Sequence, residues 1–276
     1  MPAKQLAASR LQRRLMVEPG SRVHLAQHDP GATFGWTRER AQAKVADDLA
    51  RLAAVQERLW AERKQRMLVV LQGIDASGKD GTIKHVMSAF NPLGAPVSYF
   101  GVPSATELAR DYLWRIHAAV PRTGEIGIFN RSHYESVLVV RVHELVPKAT
   151  WSRRYAQIND FERMLSEEGT TIVKFFLHID KEEQRGRLQA RYDDPTKRWK
   201  FNMDDLAERA RWDDYMAAFE DALSRCSTKV APWYVIPANR KWFRDLAVGE
   251  ILLDVLEGLN PQYPTRDDLP AGVVVT

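Results

Sequence analysis

The sequence predicts an α/β fold, a parallel β-sheet covered on both faces by helices, with a helical N-terminal extension. Two observations carry this. Five short apolar runs, at 67–72, 96–101, 125–130, 171–179 and 232–237, read as strands buried on both faces. Helical stretches lie between and after them, at roughly 79–90, 104–119, 132–145, 151–168, 181–192, 204–226 and 240–258. Strands that alternate with helices pair in parallel.

Taken in order, residues 1–35 show weak periodicity and turn-rich pieces such as HDPGATFG, and read as an extended or partly helical arm. A long amphipathic helix follows over 37–66, with Thr37 as N-cap and Val45, Leu49, Leu52, Val55 and Leu59 on one face. No linker or repeat interrupts the rest. The expected organisation is an N-terminal arm and helix (1–66) packed on a single catalytic-size core (67–260), then a short tail (261–276).

The 276 residues are 45% hydrophobic and 28% charged, enough for a large buried core. The net charge of +4 suits an anionic partner without naming one. That mild charge, and the lack of basic residues interleaved with aromatics, argue against nucleic acid. Cys226 is the single cysteine, so no disulfide can form within the chain, and it reads as a small helix-face residue. No run of about eighteen apolar residues predicts a membrane span, and the Arg-rich start has no signal-peptide core. A cytoplasmic protein is expected.

Chemistry enters at LQGIDASGKDGT, residues 71–82. Gly73 to Lys79 fits the first seven positions of G-x-x-x-x-G-K-[ST], directly after a buried strand and opening a helix. Glycines there let backbone N–H groups converge on phosphate oxygens, the helix start adds positive potential, and Lys79 adds a mobile charge. The loop also carries two carboxylates. A carboxylate beside phosphate repels it unless a cation lies between, so Asp75 reads as a residue of a Mg²⁺ site, with Mn²⁺ as an alternative. Asp80 stands where such loops carry Ser or Thr; it reads equally as a site residue or as a favourable charge at a helix start. The residues expected to hold phosphate are Gly73, Ala76, Ser77, Gly78, Lys79, Asp80, Gly81 and Thr82.

The strand EIGIFN ends in Asn130-Arg131-Ser132-His133-Tyr134-Glu135. Sites in open α/β sheets form beyond the carboxyl ends of strands. Asn130 offers a neutral oxygen, Arg131 can grip phosphate with two donors, and Glu135 is a second carboxylate. Ser132 and Glu135 also fit a capping box. Arg141, on an apolar segment, is costly unless paired or facing a cleft, and His143 reads as a packed histidine. Finally, RLQARYDDPTKRWKF places Arg187 and Arg191 four apart, on one helix face, ahead of Lys197, Arg198 and Lys200 around a proline. Such a segment suits a lid over phosphates at about 187–203.

With these segments in place, the sequence resembles the polyphosphate kinase 2 family, most closely its class III. The resemblance rests on GIDASGKDGTIKHV, FGVPSATELARDYLWRIH, GEIGIFNRSHYESVLVVRVHELVP, RYDDPTKRWKF, RARWDDYMAAFEDAL and APWYVIPANRKWFRDLAVGEILLDVL, spanning about residues 40–260. It implies a three-layer αβα fold similar to thymidylate kinase. It also implies Mg²⁺-dependent transfer of the terminal phosphoryl group of inorganic polyphosphate to AMP and ADP, with ATP as end product. By position, Asp75, Gly78 and Lys79 match the family's first motif, Asn130 and Arg131 its second, and Arg187 and Arg191 its lid arginines. Glu135 is similar to the acidic, AMP-accepting type. Ser136 departs from the pattern, since class III sequences commonly have Asp there. The implied metal residues are Asp75, Asn130 and Glu135, with Lys84 and Arg141 as candidates for a polyphosphate groove. A homo-oligomer, dimer or tetramer, is expected. The alternative reading is an ATP-dependent nucleoside monophosphate kinase, which shares fold and loop; the missing Ser or Thr after Lys79 argues against it.

Overall fold

Five strands, β1 (Arg66–Gln72), β2 (Val97–Tyr99), β3 (Ile126–Asn130), β4 (Thr170–His178) and β5 (Trp233–Pro237), form one sheet in the order β2-β3-β1-β4-β5. Every pairing is parallel. The computed structural model describes residues 10–266; the first nine residues of the predicted arm and most of the predicted tail lie outside them. All of β3 and β5 is buried, which is why their sequences carry no alternation.

Among the described residues eleven α-helices surround the sheet: α1 (Arg10–Leu15), α2 (Arg38–Glu62), α3 (Lys79–His85), α4 (Ala105–Leu108), α5 (Trp114–His117), α6 (Val139–Val142), α7 (Lys148–Glu167), α8 (Lys181–Asp193), α9 (Asp204–Ala210), α10 (Trp212–Cys226) and α11 (Lys241–Leu259). They pack as two groups. α11 lies against β4 and β5 and carries α1, α2 and α3, while α7 lies against β4 and packs with α6 and α10. Residues 174 and 176 of β4 point to the second group: Lys174 bonds Glu162 of α7, and Phe176 stacks on Phe219 of α10 at 4.5 Å.

Thr37 caps α2 as its type predicts, accepting from Arg40 N. The arm has a defined place. Val17 N donates to Trp233 O at 2.8 Å and Met16 bridges Tyr234 antiparallel, so the arm shields the open edge of β5.

Four of the expected helices are broken, the 79–90 stretch ending as α3 at His85 ahead of a 3-10 turn at Met87–Ala89. The 104–119 stretch splits into α4, closed by a Ser104–Glu107 capping box, and α5, restarted where Asp111 accepts from Leu113 N. The 204–226 stretch splits at Arg211, whose side chain donates to Val142 O. The 132–145 stretch becomes a short 3-10 turn (His133–Ser136) followed by α6. Here the expected capping box does not form. Ser132 Oγ accepts from Tyr134 N and from Gln72 Nε2, and Glu135 turns to Arg131 instead. His133 and Tyr134 commit to the core, where both bond Glu162 Oε1 at 3.1 and 2.9 Å and Lys174 Nζ bonds Glu162 Oε2 at 2.5 Å. Burial disfavours the Glu162 charge, but Lys174 and His133 outweigh it and hold its pKa below the usual value. No described helix is long and apolar enough to cross a membrane.

Candidate active site

The site lies where the neighbouring strands β1 and β3 end. After β1 the chain turns sharply. Gly73 has φ +153° and Gly78 φ +113°, and a Cβ at either would strike atoms within 3 Å, Ser77 Oγ and Arg244 Nη1 respectively. Ala76, at φ +64°, and Arg131, at φ +63°, hold the left-handed region without being glycine. That strain costs roughly 1 kcal/mol each and persists only where the surroundings over-determine it.

Lys79 opens α3 and is 8% exposed. Its ammonium donates to Gly73 O at 2.6 Å and Ile74 O at 3.3 Å, inside the curve of the loop. Burial, with the Arg131 charge adding to it, pulls its pKa from 10.5 to about 8. Arg131 stands between two carboxylates, at 2.6 Å from Asp75 and 3.3 Å from Glu135. Burial works against its charge, but the two acids outweigh that and raise its pKa above the usual arginine value. The predicted Asp75, Lys79, Arg131 and Glu135 are therefore one charged array.

Asn130 faces another way. Its amide donates to Asp80 Oδ1 at 2.9 Å, and Asp80 also lies 3.7 Å from Lys200 of the predicted lid. Asn130 Oδ1 and Ser77 Oγ are buried without a partner among the described residues. Every side chain offered at these positions presents oxygen, which suits a hard cation. Among the described residues no three His, Cys, Asp or Glu gather as a metal cage.

The lid residues divide. Arg187, on α8, lies under the loop: Nη1 donates to Ala76 O and Ser77 O at 3.0 and 2.8 Å, and Nη2 to Ala238 O and Asn239 O at 2.5 and 3.1 Å. Its Nε bonds Glu183 at 2.7 Å, so all its directions are taken by protein. Arg191 faces Asp205 at 3.6 Å. Of the groove candidates, Arg141 is paired with Asp221 at 2.5 Å and stacks over Trp151, while Lys84 is exposed near the end of α3. Cys226 is buried, and burial pushes its thiol up to about 12, which leaves it inert.

Several residues at the site carry no sequence signal. Gln184 is buried and donates to Asp75 O at 3.0 Å while accepting from Arg209 of α9 at 3.0 Å. Asp205 is partly buried, and burial together with the Asp75 charge raises its pKa. As an acid in the first turn of a helix it reads from sequence as a dipole partner only. Glu208 of α9 bonds His143 at 2.9 Å and accepts from Tyr215 Oη at 2.5 Å, which ties the lid helix to α6 and α10. Tyr215, with Leu138, Val139 and Phe219, walls a narrow cleft whose polar end is Asp75, Arg131 and Glu135.

A phosphate loop after β1, cations from two further elements and an oxygen-rich rim define a phosphotransferase of the phosphate-loop α/β class. The comparisons narrow this: the family model Polyphosphate kinase 2 matches residues 36–264, and the chain belongs to that family. It is 53% identical over 265 residues to the AMP/ADP-polyphosphate phosphotransferase of Meiothermus ruber, covering 95% of this chain and 99% of that one. It is 44% identical over 243 residues to an ADP-polyphosphate phosphotransferase of Rhodopseudomonas palustris, covering 84% of each. A crystal structure of polyphosphate kinase 2 from Arthrobacter aurescens TC1 matches with TM-score 0.90 at 47% identity, over 95% of each chain.

Proposed function

We propose that this protein transfers the terminal phosphoryl group of inorganic polyphosphate to AMP and to ADP, yielding ADP and ATP. The observation that carries the reading is the Asp75–Arg131–Glu135 array set against Lys79 at the mouth of the loop.

The reaction breaks the P–O bond to the last phosphate of the chain and forms one to a phosphate oxygen of the nucleotide. The polymer leaves one unit shorter. Lys79 and Arg131 supply positive charge to the phosphoryl oxygens; such positioning and charge make up most of the catalysis in phosphoryl transfer. The acceptor phosphate is already ionised, so no strong general base is needed. Asp75 and Glu135 aim the Arg131 guanidinium, and the narrow cleft beside them seats the acceptor. Asp75 and Glu135 are the residues we assign to hold Mg²⁺, with Mn²⁺ as a substitute; Asn130, expected with them, is turned to Asp80 instead. A metal held there would supply positive charge to the phosphates. Arg191 and the basic residues 197–200 close over the donor. The protein acts as a homo-oligomer in the cytoplasm, on polyphosphate rather than nucleic acid.

The test is a donor–acceptor matrix, polyphosphate or ATP against AMP, ADP and GDP, with Mg²⁺ present. ATP appears from polyphosphate with AMP or with ADP. Activity only with ATP as donor would instead establish a nucleoside monophosphate kinase.

A further inference from the structure

The first turn of α11 carries Arg244, a cation only 2% exposed that lies beside the phosphate loop. Its Nε and Nη2 donate to Asp245 Oδ1 at 2.8 and 2.6 Å, and Nη1 donates to Gly78 O at 3.2 Å. Its charge is thus balanced by a protein carboxylate and not by a substrate. The guanidinium occupies the space that side chains at two glycines would need. A Cβ on Gly78 would stand 2.2 Å from Nη1, and one on Gly81 would stand 3.1 and 3.2 Å from Nη1 and Nη2.

Gly81 is the informative position. Its backbone is helical within α3 and outside the left-handed region, so alanine would suit the helix better than glycine. The three atoms nearest the place of that methyl all belong to the Arg244 guanidinium, at 3.1–3.5 Å, so the guanidinium would have to shift by a few tenths of an ångström to admit it. The Gly78 carbonyl that Arg244 grips also accepts Thr82 N at 2.9 Å. In a trans peptide the C=O and the following N–H point in opposite directions. Fixing Gly78 O toward α11 therefore aims the Lys79 N–H at the other side of the loop, where phosphate is to be cradled. Arg187 holds the two preceding carbonyls, of Ala76 and Ser77; the Ser77 N–H that follows the first donates to Ile74 O at 3.0 Å, so the comparable case is the Ser77 carbonyl.

We propose that Arg244 is a positioning residue for phosphoryl transfer: wedged against Gly78 and Gly81, it sets the direction of the loop's N–H groups without touching the phosphates. The proposal rests on the reading of residues 73–82 as the phosphate-binding loop.

Three variants test it: Gly81→Ala, Arg244→Ala and the double Gly81→Ala/Arg244→Ala. Rates with polyphosphate and ADP, tripolyphosphate binding by calorimetry, and thermal unfolding are measured for each. A displaced loop costs on the order of 100-fold in kcat/KM, so Gly81→Ala is expected to lose about that much with an unchanged thermal midpoint. It is also expected to bind tripolyphosphate more weakly. The double variant is no worse than either single one, because removing the guanidinium frees the space the methyl needs. A Gly81→Ala enzyme with wild-type rate and binding, or a double variant whose loss equals the product of the single losses, overturns the proposal. If removal of the buried cation prevents folding, Gly81→Ala/Arg244→Lys replaces the double variant: its single ammonium leaves room for the methyl, and recovery over Gly81→Ala is the expected result. If the wild-type protein forms no nucleotide from polyphosphate, the proposed reaction fails, whereas the tripolyphosphate binding series still decides the role of Arg244.

Discussion

The two walls of the active site are built by opposite means. On the loop wall, three successive carbonyls, of Ala76, Ser77 and Gly78, are held by the buried or half-buried arginines 187 and 244. On the lid wall, the basic residues of the 197–200 segment are tied by more exposed pairs, Lys197 to Asp194 at 2.5 Å and Lys200 to Asp80 at 3.7 Å with 41% and 70% of the two side chains exposed, while Arg191 to Asp205 at 3.6 Å is partly buried. Buried charge-assisted bonds are strong and costly to break, while exposed ion pairs contribute about 0–1 kcal/mol and weaken with salt. The loop carbonyls are thus held by buried groups, whereas the 197–200 segment is held by more exposed ones. This is the arrangement a closing active site needs, since the moving part must be of low local stability.

The comparison is broken most forcefully at the loop. Replacing Lys79 with alanine removes the one cation inside the curve of the loop, and a single preorganised donor of this kind is worth on the order of 10²–10³-fold in kcat. Initial rates of ATP formation from polyphosphate and ADP are expected to fall by that factor at low and at high salt alike, because a buried charge is poorly screened. A loss that disappears in high salt would place Lys79 with the exposed lid charges instead.

How much of this the sequence carries follows from where the determinants lie. Four strands were legible because burial on both faces leaves a continuous apolar run, β4 being read at 171–179 and found at Thr170–His178; β2 departs from that reading, an edge strand with Val97 and Tyr99 exposed. The loop and Asn130-Arg131 were legible because both sit at strand ends with distinctive side chains. The break within 104–119 was not, because it rests on local caps, Ser104–Glu107 and Asp111–Leu113, that the apolar pattern alone does not weigh. Nor was the break at Arg211, because it is made by a contact far apart in the chain, Arg211 to Val142 O across 69 positions. The same holds for Arg244, whose partner Gly78 is 166 positions away. Arg187 illustrates a subtler limit. Spacing places it on a helix face near the loop, but a guanidinium that grips phosphate and one that grips carbonyls have the same sequence signature.

A pH profile sharpens the contrast at the loop wall. Burial pulls Lys79 from 10.5 to about 8. Its working form is protonated, so kcat/KM is full below pH 8 and falls by about tenfold per pH unit above it. Bound phosphate favours the ammonium, so kcat turns down at higher pH than kcat/KM. The stability effect has the opposite sign. The unfolded lysine keeps its ordinary pKa, so between about 8 and 10.5 the unfolded chain binds the extra proton. The cost of burying the charge is full below pH 8 and is relieved across that window, so this group makes the fold more stable as pH rises. Denaturant midpoints and rates measured on the same samples should therefore diverge above pH 8, and parallel loss of both would assign the rate limb to unfolding.

The smallest effect is expected at the lid. Lys200 meets Asp80 at 3.7 Å with both side chains largely in water. An exposed pair of this kind is worth a factor of roughly 1.5–5 at most. Lys200→Ala should raise KM for polyphosphate by that factor, leave kcat and the thermal midpoint unchanged, and lose its effect at high salt as screening removes the attraction. Asp80 would remain bonded to Asn130, so the loop wall keeps its geometry. A fall in kcat beyond tenfold would mean that Lys200 reaches the transferring phosphate in the closed state. The lid would then share the work of the loop, and the division between a prebuilt wall and a mobile one would no longer describe this site.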